Sequence, residues 1–569
     1  MFQKTLMMKI ILTSLLVIEV IVLQFQFASA SYDVLSVTPL FFLRFANYLF
    51  PFSILLAVMM ILASFIMKDK VLFTFGSLTL YFIIFLAPYN IFRFPVYNDQ
   101  LGFAVETLYG MRDGVVVPYQ GEYSTLGHAF FTSIAGEILG LNLFQATRFV
   151  EVVFVIACFV VYLSLAMFIL KKDNARSKSF LAAIIIMIFP AFALDPLVYS
   201  RGYFGLIIST PLFLCMFKFM EESSTESSIL ATITFTASSI SYPLQPLIVV
   251  IAMVLLLSSF RFIASSNKNK HEFRRIVLKT LVFFVLWSTI QVYTGYASWS
   301  VLHEIIWKAL AQEFFIGLEQ TALRYVGEAA VYTSLRLLML AAGWLIATFI
   351  ALTFILSFLK NRSASGVELF AFSSIASFCL LGVVYGITFH EPALRFYRNL
   401  VAAMPFALTY ITDRIAVKSL LRKMMPALLL TTIIIFLILS PVTKWGWTFV
   451  AYPTEQDIAL CNHIVSLYGS SANSVLYAPG SHALFGFFIK LIPTQAWSNL
   501  RVHASEDVEF DLDKSVRVEY IATFYRMYIY PRWYGENINI TMDKIAMFAS
   551  QNNVLYCNEY LWLLIQKIL

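Results

Sequence analysis

Three carboxylates follow the third long apolar run of the chain at even spacing. Asp99, Glu106 and Asp113 lie seven residues apart, and the run before them ends near residue 90. On a helix this spacing places the three side chains within about 40° of one another. A carboxylate at a membrane exit can accept a proton from an attacking hydroxyl group, or hold a divalent cation such as Mg or Mn together with phosphate oxygens. The alternative is that the three carboxylates form the solvated face of an interfacial helix.

Basic residues at the ends of later apolar runs could supply the opposite charge. Arg395 and Arg398, in "HEPALRFYRN", lie about one helical turn apart and can face the same way. Guanidinium groups bind phosphate in a bidentate manner, which suits a lipid phosphate at a bilayer surface. Arg201 and Lys308 are further candidates for the same role. These residues predict a phosphate site, and the alternative is that they anchor the protein among lipid headgroups.

The composition predicts the elements that must position these groups. Of the 569 residues, 60% are hydrophobic and 13% are charged, whereas a soluble domain is about half apolar and a quarter charged. Apolar runs of membrane-spanning length recur along most of the chain. The sequence therefore predicts an all-α polytopic membrane protein. The net charge of +7 comes from short basic clusters between apolar runs, which is typical of cytoplasmic loops and not of nucleic-acid binding.

About thirteen membrane spans are predicted from the apolar runs. The first run begins with basic residues and ends with "ASA", which also fits a signal peptide. The candidate spans cover residues 8–30, 38–67, 71–90, 146–170, 179–194, 203–218, 229–242, 243–260, 276–293, 333–358, 368–387, 398–412 and 425–444.

Charge decides how these spans are oriented. If residues 124–142 do not cross the membrane, nearly all basic clusters fall on one side, which predicts a cytoplasmic N-terminus and an extracytoplasmic C-terminus. That segment carries His128 and Glu137 and is rich in glycine, serine and threonine, so we expect it to lie on the outer surface. Residues 91–145 and 294–332 then form outer loops.

Three regions follow from this topology. Residues 1–70 supply two additional N-terminal helices, residues 71–445 form the main transmembrane domain, and residues 446–569 form a small extracytoplasmic α/β domain. Near the C-terminus, "NNVLYCNEYLWLLIQ" predicts two strands around a tight Asn558–Glu559 turn. Cys461 and Cys557 both lie in this last region. The sequence does not decide between a disulfide that joins them and two separate thiols.

The order of these features resembles the GT-C superfamily, which includes the dolichyl-phosphate-mannose protein mannosyltransferases. The resemblance rests on an acidic residue after a span, an interfacial helix, and then a long span that opens with arginine. The stretch "GEYSTLGHAFFTSIAGEILGLNLFQATRF" is similar to that pattern, with Tyr123, Gly140 and Arg148 as the matching positions. Asp99 would be the essential acid of the first outer loop. The chain departs from the pattern at Gln100, where many relatives carry a second acid.

The resemblance implies an inverting, outward-facing glycosyltransferase that takes a sugar from a polyprenyl phosphate. Asp99 would act as general base, with Glu106 assisting it or holding a cation. Arg395, Arg398 and Arg201 would neutralise the leaving phosphate, and the acceptor would be a glycan, lipid or protein. The alternative is a transporter of lipid-linked glycans, or a binding or assembly protein that kept the fold without catalysis. The centres of spans 203–218, 243–260 and 425–444 lack ionisable residues, which argues against transport, and Glu19 is the clearest exception.

Overall fold

The computed structural model describes fourteen helical segments, five strands and a few positions between them. The described residues are 2–28, 49–88, 104, 107, 110–111, 114, 127–172, 176–194, 201–222, 224–241, 244–263, 267–293, 329–361, 365–388, 392–411, 420–451, 474–477, 500–503, 520–522, 553–558 and 561–565.

The helices follow one another along most of this described part of the chain. In chain order they are α1 (Phe2–Ala28), α2 (Leu49–Met67), α3 (Lys70–Tyr81), α4 (Gly127–Leu139), α5 (Leu143–Lys172), α6 (Arg176–Phe192), α7 (Arg201–Glu222), α8 (Thr225–Ser241), α9 (Leu244–Ile263), α10 (Asn267–Tyr293), α11 (Ala329–Asn361), α12 (Gly366–Thr388), α13 (Pro392–Ile411) and α14 (Leu420–Ala451). A π-helical turn, Phe82–Leu86, continues α3.

Each of the thirteen predicted spans overlaps one of these helices, and the fourteenth helix, α4, falls in the segment predicted to lie on the surface. Within the described residues, five helices are long and apolar enough to cross a membrane, judged by length and composition. Six shorter helices are also apolar. The chain is therefore a membrane protein, while the number of crossings and their direction stay predictions. With 13 residues, α4 is about 20 Å long, short of the ~30 Å of a bilayer core.

Helix α13 lies at the centre of the bundle and packs against α5, α6, α7, α11 and α12. Aromatic side chains fill much of this core: the rings of Phe217 and Phe406 stack with their centroids 5.7 Å apart. Tyr162, in α5, donates a hydrogen bond to the carbonyl of Ala402 in α13 (3.2 Å). Because these contacts join residues far apart in sequence, they fix α5 and α7 against α13.

Helix α1 is attached to the turn between α2 and α3. Asp69 accepts hydrogen bonds from the backbone N–H groups of Val71 and Leu72 and so caps the start of α3. The same carboxylate pairs with Lys9 of α1. The Lys9 hydrogen bond lowers the pKa of Asp69, more than its partial burial raises it. Deeper in α1, Glu19 accepts a long hydrogen bond from Ser53 of α2 (3.4 Å).

The C-terminal region contains a five-stranded mixed sheet with the strand order β2-β1-β3-β5-β4. Its strands are β1 (Ser474–Tyr477), β2 (Leu500–His503), β3 (Tyr520–Ala522), β4 (Asn553–Asn558) and β5 (Leu561–Ile565). Strand β1 pairs in parallel with β2 and β3, and β5 pairs antiparallel with β3 and β4.

The predicted C-terminal strand pair is present as the β4–β5 hairpin. Asn558 pairs with Leu561, so the connecting residues are Glu559 and Tyr560, one position later than the predicted turn. After the end of α14, the described residues of this region form the sheet alone, so its α/β character and its extracytoplasmic position stay predictions. Cys461 lies outside the described residues, so the disulfide question stays open.

Candidate functional site

Six helix ends meet at one end of the bundle, which we call the predicted outer end because the charge pattern places it outside. Helices α3, α6 and α14 finish there, while α5, α7 and α13 begin there. The contacts that join them are Trp445 with Ile84, Lys444 with Pro190, Arg398 with Tyr203, and Phe154 with Phe204.

Arg398 is held against an aromatic ring at this end. Its guanidinium carbon lies 4.6 Å from the centroid of the Tyr203 ring, in cation–π geometry. Tyr203 is only 4% exposed, and Arg398 is half-buried between the buried neighbours Tyr397 and Asn399. The guanidinium of Arg398 therefore lies over the ring of a buried tyrosine, and this contact holds Arg398 at the start of α7.

The other two predicted arginines share these helix starts. Arg201 is the first residue of α7, two positions before Tyr203, and Arg395 lies in the first turn of α13, one turn before Arg398. Their side chains lie outside the described part of the structure, but the backbone brings their helix starts together through the Arg398–Tyr203 contact. The starts of α7 and α13 add the positive ends of two helix dipoles. Two helix N-termini therefore contribute partial positive charge at this end of the bundle.

A buried acid lies in the third turn of α5. Glu151 is 3% exposed, and one of its oxygens lies 3.9 Å from Nε of Arg148. It shares a helix face with Phe154, whose ring contacts Phe204, the neighbour of Tyr203. A cationic neighbour offsets part of the desolvation cost of a buried carboxylate. Arg148, the position matched by the family resemblance, thus forms part of a charged pair.

The turn between α4 and α5 has the local features that the sequence indicates. Gly140 ends α4 with a φ of 64°, a left-handed conformation that favours glycine. The backbone N–H of Gln145 donates to the Asn142 side chain (2.9 Å), and the Asn142 N–H donates to the Gln145 side chain (3.1 Å). This reciprocal cap starts α5 and sets the direction in which Arg148 and Glu151 leave the turn.

Helix α4 connects the first outer loop to the start of α7. Ser133 of α4 donates a hydrogen bond to the carbonyl of Thr107, the residue after Glu106 (3.0 Å). On the same helix, fully buried His128 packs edge-on against Phe204, with ring centroids 6.5 Å apart. Helix α4 therefore contacts both Thr107, which follows Glu106, and Phe204, which follows Tyr203.

Gly127, where α4 begins, allows α4 to approach the end of α8 closely. A Cβ added at this position would lie 2.6 Å from Oγ of Ser241, and 3.0 Å from the backbone Cα of the same residue. Because backbone cannot yield as a flexible side chain can, any larger residue at 127 would push α4 away from its neighbours.

The predicted outer end also contains a lysine that sequence reasoning did not single out. Lys444 of α14 is fully buried; its Nζ donates to the carbonyl of Pro190 (2.7 Å) and lies 5.4 Å from the Phe85 ring centroid. The next residue, Trp445, donates its indole N–H to the carbonyl of Ile84 in the π-helical turn (3.1 Å). Together these two side chains connect the end of α14 to the ends of α3 and α6.

Tyr397 and Met339 link this group to the arginine cluster. The Tyr397 hydroxyl donates to the carbonyl of Met339 in α11 (3.1 Å), and the Thr443 hydroxyl donates to the Met339 sulfur (3.2 Å). Gly343 makes this arrangement possible, because a Cβ there would lie 2.4 Å from the Tyr397 oxygen. Residues next to Arg398 and next to Lys444 thus contact the same methionine.

Comparison with known proteins finds similar solved structures. No family model and no curated protein match the chain. The oligosaccharyltransferase of Archaeoglobus fulgidus, solved with a tethered acceptor peptide, matches with a TM-score of 0.49 and 11% identity, over 87% of this chain and 74% of its own. ArnT from Cupriavidus metallidurans, solved with bound undecaprenyl phosphate, matches with a TM-score of 0.45 and 12% identity, over 87% and 97%.

Several predicted site residues lie outside the part of the chain that the structure describes. They are Asp99, Glu106, Asp113 and Lys308. Their roles as base, assisting acid, solvated carboxylate and phosphate ligand stay predictions, as does metal binding at Asp99. Among the described residues, no group of three or more histidine, cysteine, aspartate or glutamate side chains could hold a metal ion.

Sequence reasoning missed Glu151, Lys444 and Trp445. A single charged side chain near the end of an apolar run is usually interpreted as a headgroup anchor, and the neighbouring sequence does not show whether that side chain points into the bundle. The same is true of a tryptophan at such a position. For Glu151 a signal was present, because an acid three residues after an arginine in an otherwise apolar run predicts a pair on one helix face.

Proposed function

We propose that the protein is an inverting membrane glycosyltransferase. It transfers a sugar from a polyprenyl-phosphate donor to an acceptor hydroxyl on the extracytoplasmic side of the membrane. The observation that carries this proposal is the stack of Arg398 on Tyr203 at the joined starts of α7 and α13, the helices that also begin with Arg201 and Arg395. A phosphate on a lipid tail would find guanidinium donors and helix starts at the bilayer surface, with its tail along the apolar bundle.

The chemistry follows from a single displacement at the anomeric carbon of the sugar. The acceptor oxygen forms the new bond while the bond from the anomeric carbon to the phosphate oxygen breaks, and the leaving polyprenyl phosphate keeps the electron pair. The acceptor proton passes to the carboxylate of Asp99. Arg398, Arg395 and Arg201, with Lys308 as a further ligand, stabilise the charge on the phosphate. Glu106 assists Asp99 or holds a divalent cation, Mg or Mn.

The contact between the first outer loop and α4 supports this assignment. Thr107 accepts a hydrogen bond from Ser133, and His128 on the same helix packs against Phe204, beside Tyr203. The loop that carries the proposed base is thus connected through one short helix to Phe204, the residue that follows Tyr203 in α7. A base and a phosphate site must be neighbours if one sugar is to reach both.

The alternatives are a transporter of lipid-linked glycans and a binding or assembly protein with this fold. Gln100, directly after Asp99, is the feature that favours a binding protein, since many GT-C relatives carry an acid there. A binding protein would share the phosphate site but lack turnover. A transporter would move the intact donor lipid between leaflets.

The test is donor turnover by the purified protein in lipid nanodiscs. Polyprenyl-phosphate sugars labelled in the sugar are incubated with glycan, lipid and peptide acceptors, and both hydrolysis and transfer are measured. We expect sugar to leave the lipid with wild-type protein and not with Asp99→Asn. Saturable donor binding without any sugar release would contradict the proposal in favour of a binding protein. Movement of intact donor between leaflets of proteoliposomes would contradict it in favour of a transporter.

A further inference from the structure

We propose that Lys444 and Trp445 form a clamp that positions the two chain segments leading into the predicted active site. The clamp rests on the proposed function, because it is a positioning device for that glycosyl transfer. It acts at the ends of α3 and α6, which precede the loops leading to Asp99 and to Arg201.

Trp445 fixes the end of α3. Its indole N–H donates to the carbonyl of Ile84, in the middle of the π-helical turn Phe82–Leu86. π-Helical turns are rare, and this one follows the last residue of α3. Asp99 follows Leu86 by 13 residues, so the direction in which the chain leaves this turn affects where the first outer loop starts.

Lys444 fixes the end of α6. Its ammonium donates to the carbonyl of Pro190, in the last turn of a helix that ends at Phe192. The last carbonyls of a helix need partners from outside it, and a cation there interacts favourably with the helix dipole. Arg201 begins α7 nine residues after Phe192. The same side chain lies against the Phe85 ring, so one lysine touches both helix ends.

The two anchored ends also touch each other. The rings of Phe85 and Phe189 have centroids 5.9 Å apart, and Phe189 directly precedes Pro190. Adjacent residues of α14 therefore hold two helix ends that pack on one another, and from these ends the chain continues to the proposed base and to one proposed phosphate ligand. A displacement of about 1 Å at such a point can lower turnover about 100-fold without any loss of substrate contacts.

Lys279 provides a matched control at the opposite end of the bundle. Its Nζ donates to the carbonyl of Phe219, near the end of α7 (2.9 Å), and lies 3.7 Å from the centroid of the Phe219 ring. The local chemistry is that of Lys444: an ammonium, a late helix carbonyl and an aromatic face. A simple helix cap at either place should affect stability alone, whereas a clamp at Lys444 should also affect turnover.

The experiment compares Lys444→Met, Trp445→Phe and Lys279→Met in the full-length protein. Lys444→Met keeps the length of the side chain without its charge, and Trp445→Phe removes the indole N–H while keeping an aromatic ring. We expect Lys444→Met and Trp445→Phe to lower kcat about 10–100-fold with donor KM within about threefold of wild type. Lys279→Met should lose thermal stability and keep its kcat. Lys444→Arg should restore part of the turnover, because it restores the charge and the donor.

Hydrogen–deuterium exchange provides a second readout that needs no activity. Backbone amides of residues 82–88 should exchange faster in Lys444→Met and Trp445→Phe than in wild type, and at the wild-type rate in Lys279→Met. If wild-type protein transfers no sugar, the proposed function fails, and unchanged exchange at residues 82–88 would still overturn the clamp by itself.

Three kinetic outcomes would overturn the proposal. Equal kcat values for Lys444→Met and Lys279→Met at equal stability loss would make Lys444 a helix cap only. A raised donor KM with unchanged kcat in Lys444→Met would make it a phosphate ligand. Normal turnover in Trp445→Phe would show that the indole hydrogen bond to Ile84 does not position the active site, and would contradict a clamp formed by both residues.

Discussion

At the scale of the residue, the proposed reaction assigns different importance to the three carboxylates of the first outer loop. Asp99→Asn keeps the size of the side chain but cannot accept the acceptor proton. General-base catalysis contributes about 100- to 10,000-fold, so this variant should lose at least ~100-fold in turnover with expression intact. Glu106→Gln should lose less, and Asp113→Asn little. Near-normal transfer by Asp99→Asn, measured as labelled sugar on the acceptor, would show that these carboxylates only form a solvated face.

At the scale of the element, the ion pair between α1 and the α2–α3 turn makes a prediction about pH. The Lys9 hydrogen bond lowers the pKa of Asp69 in the folded protein. The pair therefore contributes stability that is present above the ordinary aspartate pKa, near 4, and is lost as pH falls through the lower folded value. Lys9→Met should lower the thermal unfolding midpoint at pH 6, and the difference from wild type should shrink as pH falls below 4. A difference that stayed constant across this range would contradict the assignment.

The elements also show which parts of the structure could be predicted from sequence. Long apolar runs must become helices in a bilayer, because every backbone polar group has to be satisfied within the segment, so the helices fell where the runs are. The contact of Arg398 with Tyr203 could not be predicted, since it joins residues 195 positions apart through the packing of α7 on α13. In the sequence, Lys444 stands at the end of an apolar run. Only the packing of α14 against α6 shows that it is a buried hydrogen-bond donor to the carbonyl of Pro190.

At the scale of the whole molecule, the predicted topology has a direct test. Asn174 lies in the basic cluster "KKDNARSK", which the one-sided charge distribution places in the cytoplasm. A single cysteine at this position (Asn174→Cys) should react with a membrane-impermeant thiol reagent only after the cells are opened. A cysteine at Asn539 in the C-terminal region (Asn539→Cys) should react on intact cells. Labelling of Asn174→Cys on intact cells would reverse the topology and place the arginine cluster on the cytoplasmic side.

The central claim for the whole molecule is that its predicted outer end binds the phosphate of a polyprenyl lipid through Arg398. The most direct measurement is the dissociation constant for a polyprenyl phosphate and the protein in nanodiscs. It is compared among wild type, Arg398→Ala, Arg398→Lys and Tyr203→Phe. Tyr203→Phe is the control, because it keeps the aromatic ring that contacts the guanidinium. One charged hydrogen bond contributes about 1.5–3 kcal/mol. We therefore expect Arg398→Ala to bind roughly ten- to a hundredfold more weakly, Arg398→Lys to recover part of the loss, and Tyr203→Phe to bind nearly as wild type. An unchanged dissociation constant in Arg398→Ala would contradict the phosphate site and with it the proposed donor.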